Sequence, residues 1–89
     1  IILQVTSGAS DSAARLDIGT AANATTSAAT LIDELNVSDV GIYDNVSDKG
    51  SAGSSRLKFG NGQFLNASRS AGAMSGLVGT YAVCVLDLN

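Results

Sequence analysis

Carboxylates are the most numerous ionisable side chains in this sequence, and they include two candidate pairs, Asp33-Glu34 and Asp44 with Asp48. A pair of carboxylates does general acid–base work when one is held protonated and the other ionised across a reacting bond. Neighbouring residues on an extended chain point to opposite sides, however, and neither pair belongs to a recognisable pocket motif, so both read as solvated acids. The run Asp44-Asn45-Val46-Ser47-Asp48-Lys49-Gly50 places oxygen ligands at alternate positions in the manner of a calcium loop. It lacks three ligands before the glycine and the closing Glu, and a turn held by Asx and Ser side chains is the better reading.

Nucleophilic catalysis is poorly provided for. The sequence has no His, so a Ser or Cys nucleophile has no imidazole base, and no Gly-x-Ser-x-Gly elbow occurs. Cys84, the one cysteine, lies in the apolar run Tyr81 to Leu88 and is expected to pack as an inert, buried thiol. Gly60-Asn61-Gly62 lacks the third glycine of a dinucleotide fingerprint and reads as a turn. Tyr43, Phe59, Phe64 and Tyr81 are too scattered for a base-stacking platform. These observations predict a protein that is not an enzyme, with no cofactor, no metal, no small-molecule substrate and no nucleic-acid partner.

Charge and sequon patterns carry more. Residues 11 to 48 hold seven acids and one base, Arg15, whereas residues 49 to 86 hold four bases and no acid. One reading is chance placement of solvated side chains. The other is head-to-tail docking between identical subunits, with Asp33, Glu34 and Asp39 facing Arg56, Lys58 and Arg69 of a neighbour. Four asparagines, Asn23, Asn36, Asn45 and Asn66, each begin an Asn-x-Ser/Thr acceptor pattern. Either these residues cluster because Asn, Ser and Thr all favour turns, or they mark a glycosylated extracellular protein such as a filament subunit.

The elements that would position these groups are short strands. Ile1, Leu3 and Val5 share one face of a first strand that ends at Ser7-Gly8-Ala9-Ser10-Asp11. Arg15-Leu16-Asp17-Ile18 alternates charged and apolar residues and is expected to stop at Gly19. Thr20 to Thr30 reads as a long small-residue loop, ending in a helical turn capped by Thr26 or Ser27, with Leu31, Ile32 and Leu35 as anchors. The section holding Ile42-Tyr43 and Val46 reads as irregular. Leu57 and Phe59, then Gly60-Asn61-Gly62, then Gln63 to Ala67 predict a hairpin, and Tyr81 to Leu88 a central strand covered on both faces. The expected fold is therefore all-β: one domain over residues 1–89, a small β-sandwich or jelly-roll-like barrel of five to six strands with long Ala/Ser/Gly loops.

Ala, Ser and Gly fill 35 of 89 positions, so the core is small and partners are expected to supply missing burial. No apolar run reaches about 18 residues, so no membrane span is expected. The start, Ile1-Ile2-Leu3-Gln4-Val5, lacks an initiator Met and a basic signal region, which suggests a processed chain or part of a longer product. Residues 1–10 are a candidate strand-exchange arm carrying Ile1, Ile2, Leu3 and Val5; the other reading is an ordinary edge strand of its own sheet.

From Ala14 to Leu88 the order of pieces resembles a family of small virion structural proteins of tailed bacteriophages. The resembling stretches are Ala14-Arg15-Leu16-Asp17-Ile18-Gly19, the loop leading to Leu31-Ile32-Asp33, Gly41-Ile42-Tyr43-Asp44-Asn45 with Lys49-Gly50, and Ala71-Gly72-Ala73-Met74-Ser75-Gly76-Leu77-Val78-Gly79-Thr80-Tyr81. The resemblance implies a capsid decoration or cement subunit at the surface of a virion head, with copies of itself and a major capsid protein as partners and no active-site residues. The alternative is a pilin-like subunit of an extracellular filament, assembled by strand exchange.

Overall fold

The computed structural model describes residues 1–84, which form six antiparallel strands in two three-stranded sheets. In chain order these are β1 (Ile2–Ser7), β2 (Arg15–Ala21), β3 (Ile32–Asn36), β4 (Gly41–Asp44), β5 (Phe64–Ala71) and β6 (Val78–Ala82). One sheet has the order β4-β1-β6 and the other β3-β2-β5, so the first two strands are the centres of the two layers. The result is a small β-sandwich, as composition and alternation predict.

Period-two patterning sets the inner faces. Leu3 and Val5 of β1 turn inward and meet Ile18 of β2, Ile32 and Leu35 of β3, and Val37, with Ala9 and Ala14 closing the connection between the layers. Among the described residues only Ile18, Ile32, Val5 and Val37 are large side chains with essentially no exposure, so the core rests on few residues. Leu16, Leu65, Tyr43, Met74 and Leu77 pack around its margin, partly buried.

Bulges adjust the second layer. Leu16 pairs with Leu35 but Ile18 with Ile32, which leaves one extra residue on β3 in the Asp33-Glu34 pair. Glu34 takes a left-handed φ of 54° there, a conformation costing a non-glycine residue about 1–2 kcal/mol. Its N–H donates to Asp17 Oδ1 at 2.8 Å, and Ser70, the extra residue of β5 between Arg69 and Ala71, donates its hydroxyl to Glu34 Oε1 at 2.9 Å. The two irregularities thus brace one another across β2.

Loops cover the β3-β2-β5 layer. Residues 22–30 fold back over its outer face, where Thr20 N–H donates to Thr30 Oγ1 at 3.0 Å and Asn66 Nδ2 donates to Asn23 O and Thr26 O at 3.0 and 2.7 Å. Close approach requires Gly19, because a Cβ there would sit 2.6 Å from the Thr30 nitrogen. The free edge of β3 is capped by the following loop: Asp33 N–H donates to Lys49 O at 2.8 Å, and Ala52 N–H donates to Asp33 Oδ2 at 3.0 Å. Asp11 ties the β1–β2 connection to the β5–β6 connection by accepting from Ala13 N–H and Ala73 N–H at 2.9 and 3.0 Å.

Several expectations need correcting. Gly19 does not end the second strand, which runs to Ala21 because the glycine admits the covering loop. No helical turn ends that loop; Asn23 rather than Thr26 or Ser27 organises it, its Oδ1 accepting from the N–H and hydroxyl of both Thr25 and Thr26. The section called irregular contains β4. Gly60-Asn61-Gly62 does turn, with Gln63 N–H donating to Gly60 O at 3.3 Å, but residues 56–60 form no strand and the expected hairpin is absent. Between Tyr81 and Cys84, the expected doubly covered strand is instead the exposed end of β6, on an edge of its layer, and Cys84 is exposed rather than buried. Its remainder, Val85 to Leu88, lies outside the described residues. Ile1 to Val5 is neither an edge strand nor a free arm: β1 is paired on both sides within its own sheet.

Candidate functional site

The carboxylates singled out by spacing serve the backbone. Asp33 and Glu34 build the β3 bulge and its cap. Asp44 Oδ1 accepts from Val46 N–H and Ser47 N–H at 2.8 and 2.6 Å, while Asp48 Oδ2 accepts from Asp44 N–H at 2.9 Å. This is the Asx turn expected for residues 44–50. Hydrogen bonds from Ser47 and Val46 hold the Asp44 carboxyl below its ordinary pKa, and those from Ala13 and Ala73 do the same for Asp11. Among the described residues no three His, Cys, Asp or Glu side chains converge as a metal site.

The charged docking candidates divide similarly. Asp33 and Glu34 are engaged internally, and Arg69 donates through Nη1 to Gly72 O at 2.9 Å, whereas Asp39, Arg56 and Lys58 are exposed. Of the apolar candidates, Leu3 and Val5 are core, Ile1 is partly buried with its amine donating to Asn45 Oδ1 at 2.9 Å, and Ile2 points outward at 54% exposure.

The four Asn-x-Ser/Thr sites are not equivalent. Asn45 is 7% exposed and uses Nδ2 to donate to Ser54 O at 2.8 Å. Asn66 spends both protons of Nδ2 on the covering loop. Both therefore occupy the very nitrogen a glycan would take. Asn23 and Asn36 are exposed and engaged through Oδ1, that of Asn36 accepting from Ser38 N–H and Oγ at 3.0 and 2.7 Å. In each of these two, the hydroxyl residue of the pattern closes a local Asx turn, which is the backbone reason for the spacing.

Cavities are small. Between the layers, Ile1, Leu3, Leu16, Ile18, Leu65, Ala67 and Tyr81 enclose about 30 Å³, the room of a single water rather than of an organic ligand. The larger hollow, about 310 Å³, is a shallow depression on the outside of the β4-β1-β6 sheet, lined by Gln4, Val5, Thr6, Val40, Gly41 and Ile42.

That outer face is the most unusual surface of the domain. Residues directly opposite one another share a face, and Gln4 lies opposite Ile42 on β4 and Thr80 on β6, while Ile2 lies opposite Asp44 and Ala82. Val78, two residues before Thr80, and Val40, two before Ile42, extend the same surface. Val40 is 68% exposed, Ile42 69% and Val78 58%. Asp44 is the only charged residue among these positions, and its carboxylate is turned into its own loop. No described residue lies over this face as residues 22–30 lie over the other. Sequence reasoning missed Val40, Ile42 and Val78; the absence of charge through Ser70–Leu86 was an available signal for Val78, whereas Val40 and Ile42 lie between Asp39 and Asp44 and carried none.

Comparison with protein-family models, with curated proteins and with solved structures finds no match to this chain.

Proposed function

We propose that this domain is a non-enzymatic structural subunit, a decoration or cement protein on the surface of a phage head, in contact with copies of itself and with a major capsid protein. The observation that carries the reading is the exposed, nearly uncharged apolar face of β4-β1-β6. A lone soluble domain gains nothing from holding Ile42 and Val40 in water, while an assembled one buries them at about 25 cal/mol per Å² before association costs. The resemblance of residues 14 to 88 to small virion proteins supports the same reading, as does the small size, about 30 Å³, of the cavity between the layers. The mechanism is mechanical: apolar surface covered between subunits adds cohesion to the shell.

The runner-up is a subunit of an extracellular filament, favoured by one observation, the exposed Asx turns at Asn23 and Asn36. Strand exchange through β1 drops out of it, because that strand is already paired on both sides. Mass spectrometry of native particles separates the two. Unmodified peptides of this chain at a fixed ratio to a major capsid protein are expected. Recovery only from cell-surface filaments, with hexose on Asn23 or Asn36, would overturn the capsid reading.

A further inference from the structure

We propose that the outer face of β4-β1-β6 packs against the same face of a second copy of this chain about a two-fold axis. This deepens the assembly reading and rests on it only in naming which partner meets that face.

Two features point to a second copy rather than to an unlike protein, and the area of the face sets how firmly it is held. The first is charge. A face that meets itself sets every residue near its own kind, so like charges would repel; among Ile2, Gln4, Thr6, Val40, Ile42, Asp44, Val78, Thr80 and Ala82 there is only Asp44, whose carboxylate is already held by two N–H groups. The described surfaces elsewhere carry Asp17, Glu34, Asp39, Arg56, Lys58 and Arg69, which suit unlike or head-to-tail contacts.

The second is the residue at the centre. Gln4 sits on the middle strand between Ile42 and Thr80, it is exposed, and among the described residues its side chain has no hydrogen-bond partner. A carboxamide both donates and accepts, so two copies related by a two-fold bond each other reciprocally. An apolar patch with one central amide is complementary to itself.

Area sets the strength of the contact. Three strands about 4.8 Å apart and four to six residues long at about 3.3 Å each give a footprint of roughly 240 Å². Stable interfaces bury about 800 Å² of accessible surface per partner, so this face alone supports a weak, concentration-dependent dimer that becomes firm when other contacts of an assembly act with it. Sheets meeting this way align their strands within about 30° of one another.

Sedimentation velocity of the wild-type chain over a wide concentration range tests the proposal, alongside Ile42→Lys, Val40→Lys and the control Lys58→Ser, each checked for folding by circular dichroism. In a Cys84→Ser background, Gln4→Cys is oxidised and compared with Thr25→Cys on the covering loop of the other layer. Expected are a dimer that tightens with concentration, at least a tenfold loss of association in Ile42→Lys and in Val40→Lys, no change in Lys58→Ser, and a disulfide dimer for Gln4→Cys but not Thr25→Cys. Should Ile42→Lys unfold, Val40→Lys, outside the strand, carries the comparison. A wild-type monomer at every concentration, or a dimer indifferent to both lysines and to Gln4→Cys, overturns the pairing. If that monomer still binds purified shells and loses them with Ile42→Lys, the two-fold contact is wrong while the assembly reading stands; loss of both defeats both.

Discussion

Ile32 and Ile42 are the same residue type on edge strands of the two layers, and truncating each to Ala is expected to cost very different amounts of stability. Ile32 has 0% exposure and Ile42 has 69%. Removing three carbons costs about 0.8 kcal/mol each when all are buried, so the transfer loss at Ile32 is about 2.4 kcal/mol. A cavity left by three carbons, at about 24 cal/mol per Å³, raises this to roughly 3–4 kcal/mol. At Ile42 under a third of the side chain is covered, which leaves about 0.7 kcal/mol and no cavity. A domain of this size is stable by about 4–13 kcal/mol, so Ile32→Ala removes a large fraction of the total and Ile42→Ala a small one. Equilibrium urea unfolding at a concentration low enough to keep the chain monomeric reads both as midpoints at unchanged slope. If Ile42→Ala lowers the midpoint as far as Ile32→Ala does, the assignment of inner and outer faces is wrong, and the docking surface is wrong with it.

Further outcomes follow from particular contacts. Gly19→Ala drives a Cβ into the Thr30 backbone and is expected to cost about 1–3 kcal/mol, with faster amide exchange in residues 22–30; exchange unchanged there would mean the loop is not held by that contact. Ser68 Oγ is buried with no partner among the described residues, so Ser68→Ala is expected to raise stability by about 1 kcal/mol, and a fall in the urea midpoint would reveal a hidden partner. The Asp11 carboxyl has a lowered pKa in the fold through its bonds from Ala13 and Ala73. Its contribution is therefore complete above the ordinary Asp value of about 3.9 and is lost as pH falls through the lowered value. Asp11→Asn should flatten the acid limb of stability below about pH 4, and an unchanged limb would assign acid unfolding elsewhere.

The class of fold was legible because alternation is written directly into β1 and β2: Leu3, Val5 and Ile18 face inward as period two requires. Where the reading failed, a local signal had been asked to decide a long-range matter. Gly60-Asn61-Gly62 does form a turn, yet whether residues 56–60 become a strand depends on an available edge, and β5 pairs with β2 instead. Gly19 looks like a stop from sequence because its role, admitting the loop that ends at Thr30, exists only once the layer is folded. The four residues Gly41–Asp44 are too few to show a period, although Ile42 is the centre of the candidate site's β4 margin. The acids' work as bulge and turn formers was not legible, because it needs Asp17, Ser70 and Ala52, which the sequence places far from Asp33 and Glu34.

The central place of β1 also sets the order in which the domain can be made. Leu3 pairs with Tyr43 on one side and with Tyr81 on the other, so the sheet that includes the first strand closes only after the last described strand has left the ribosome. Until then Leu3 and Val5 are exposed in a growing chain whose other layer still awaits β5. Contacts this distant in sequence make for slow, late cooperative folding, in a period when the apolar β1 is open to the wrong partner. An expression system that synthesises slowly and keeps nascent chains apart should therefore raise the yield of folded protein more than any change at its surface.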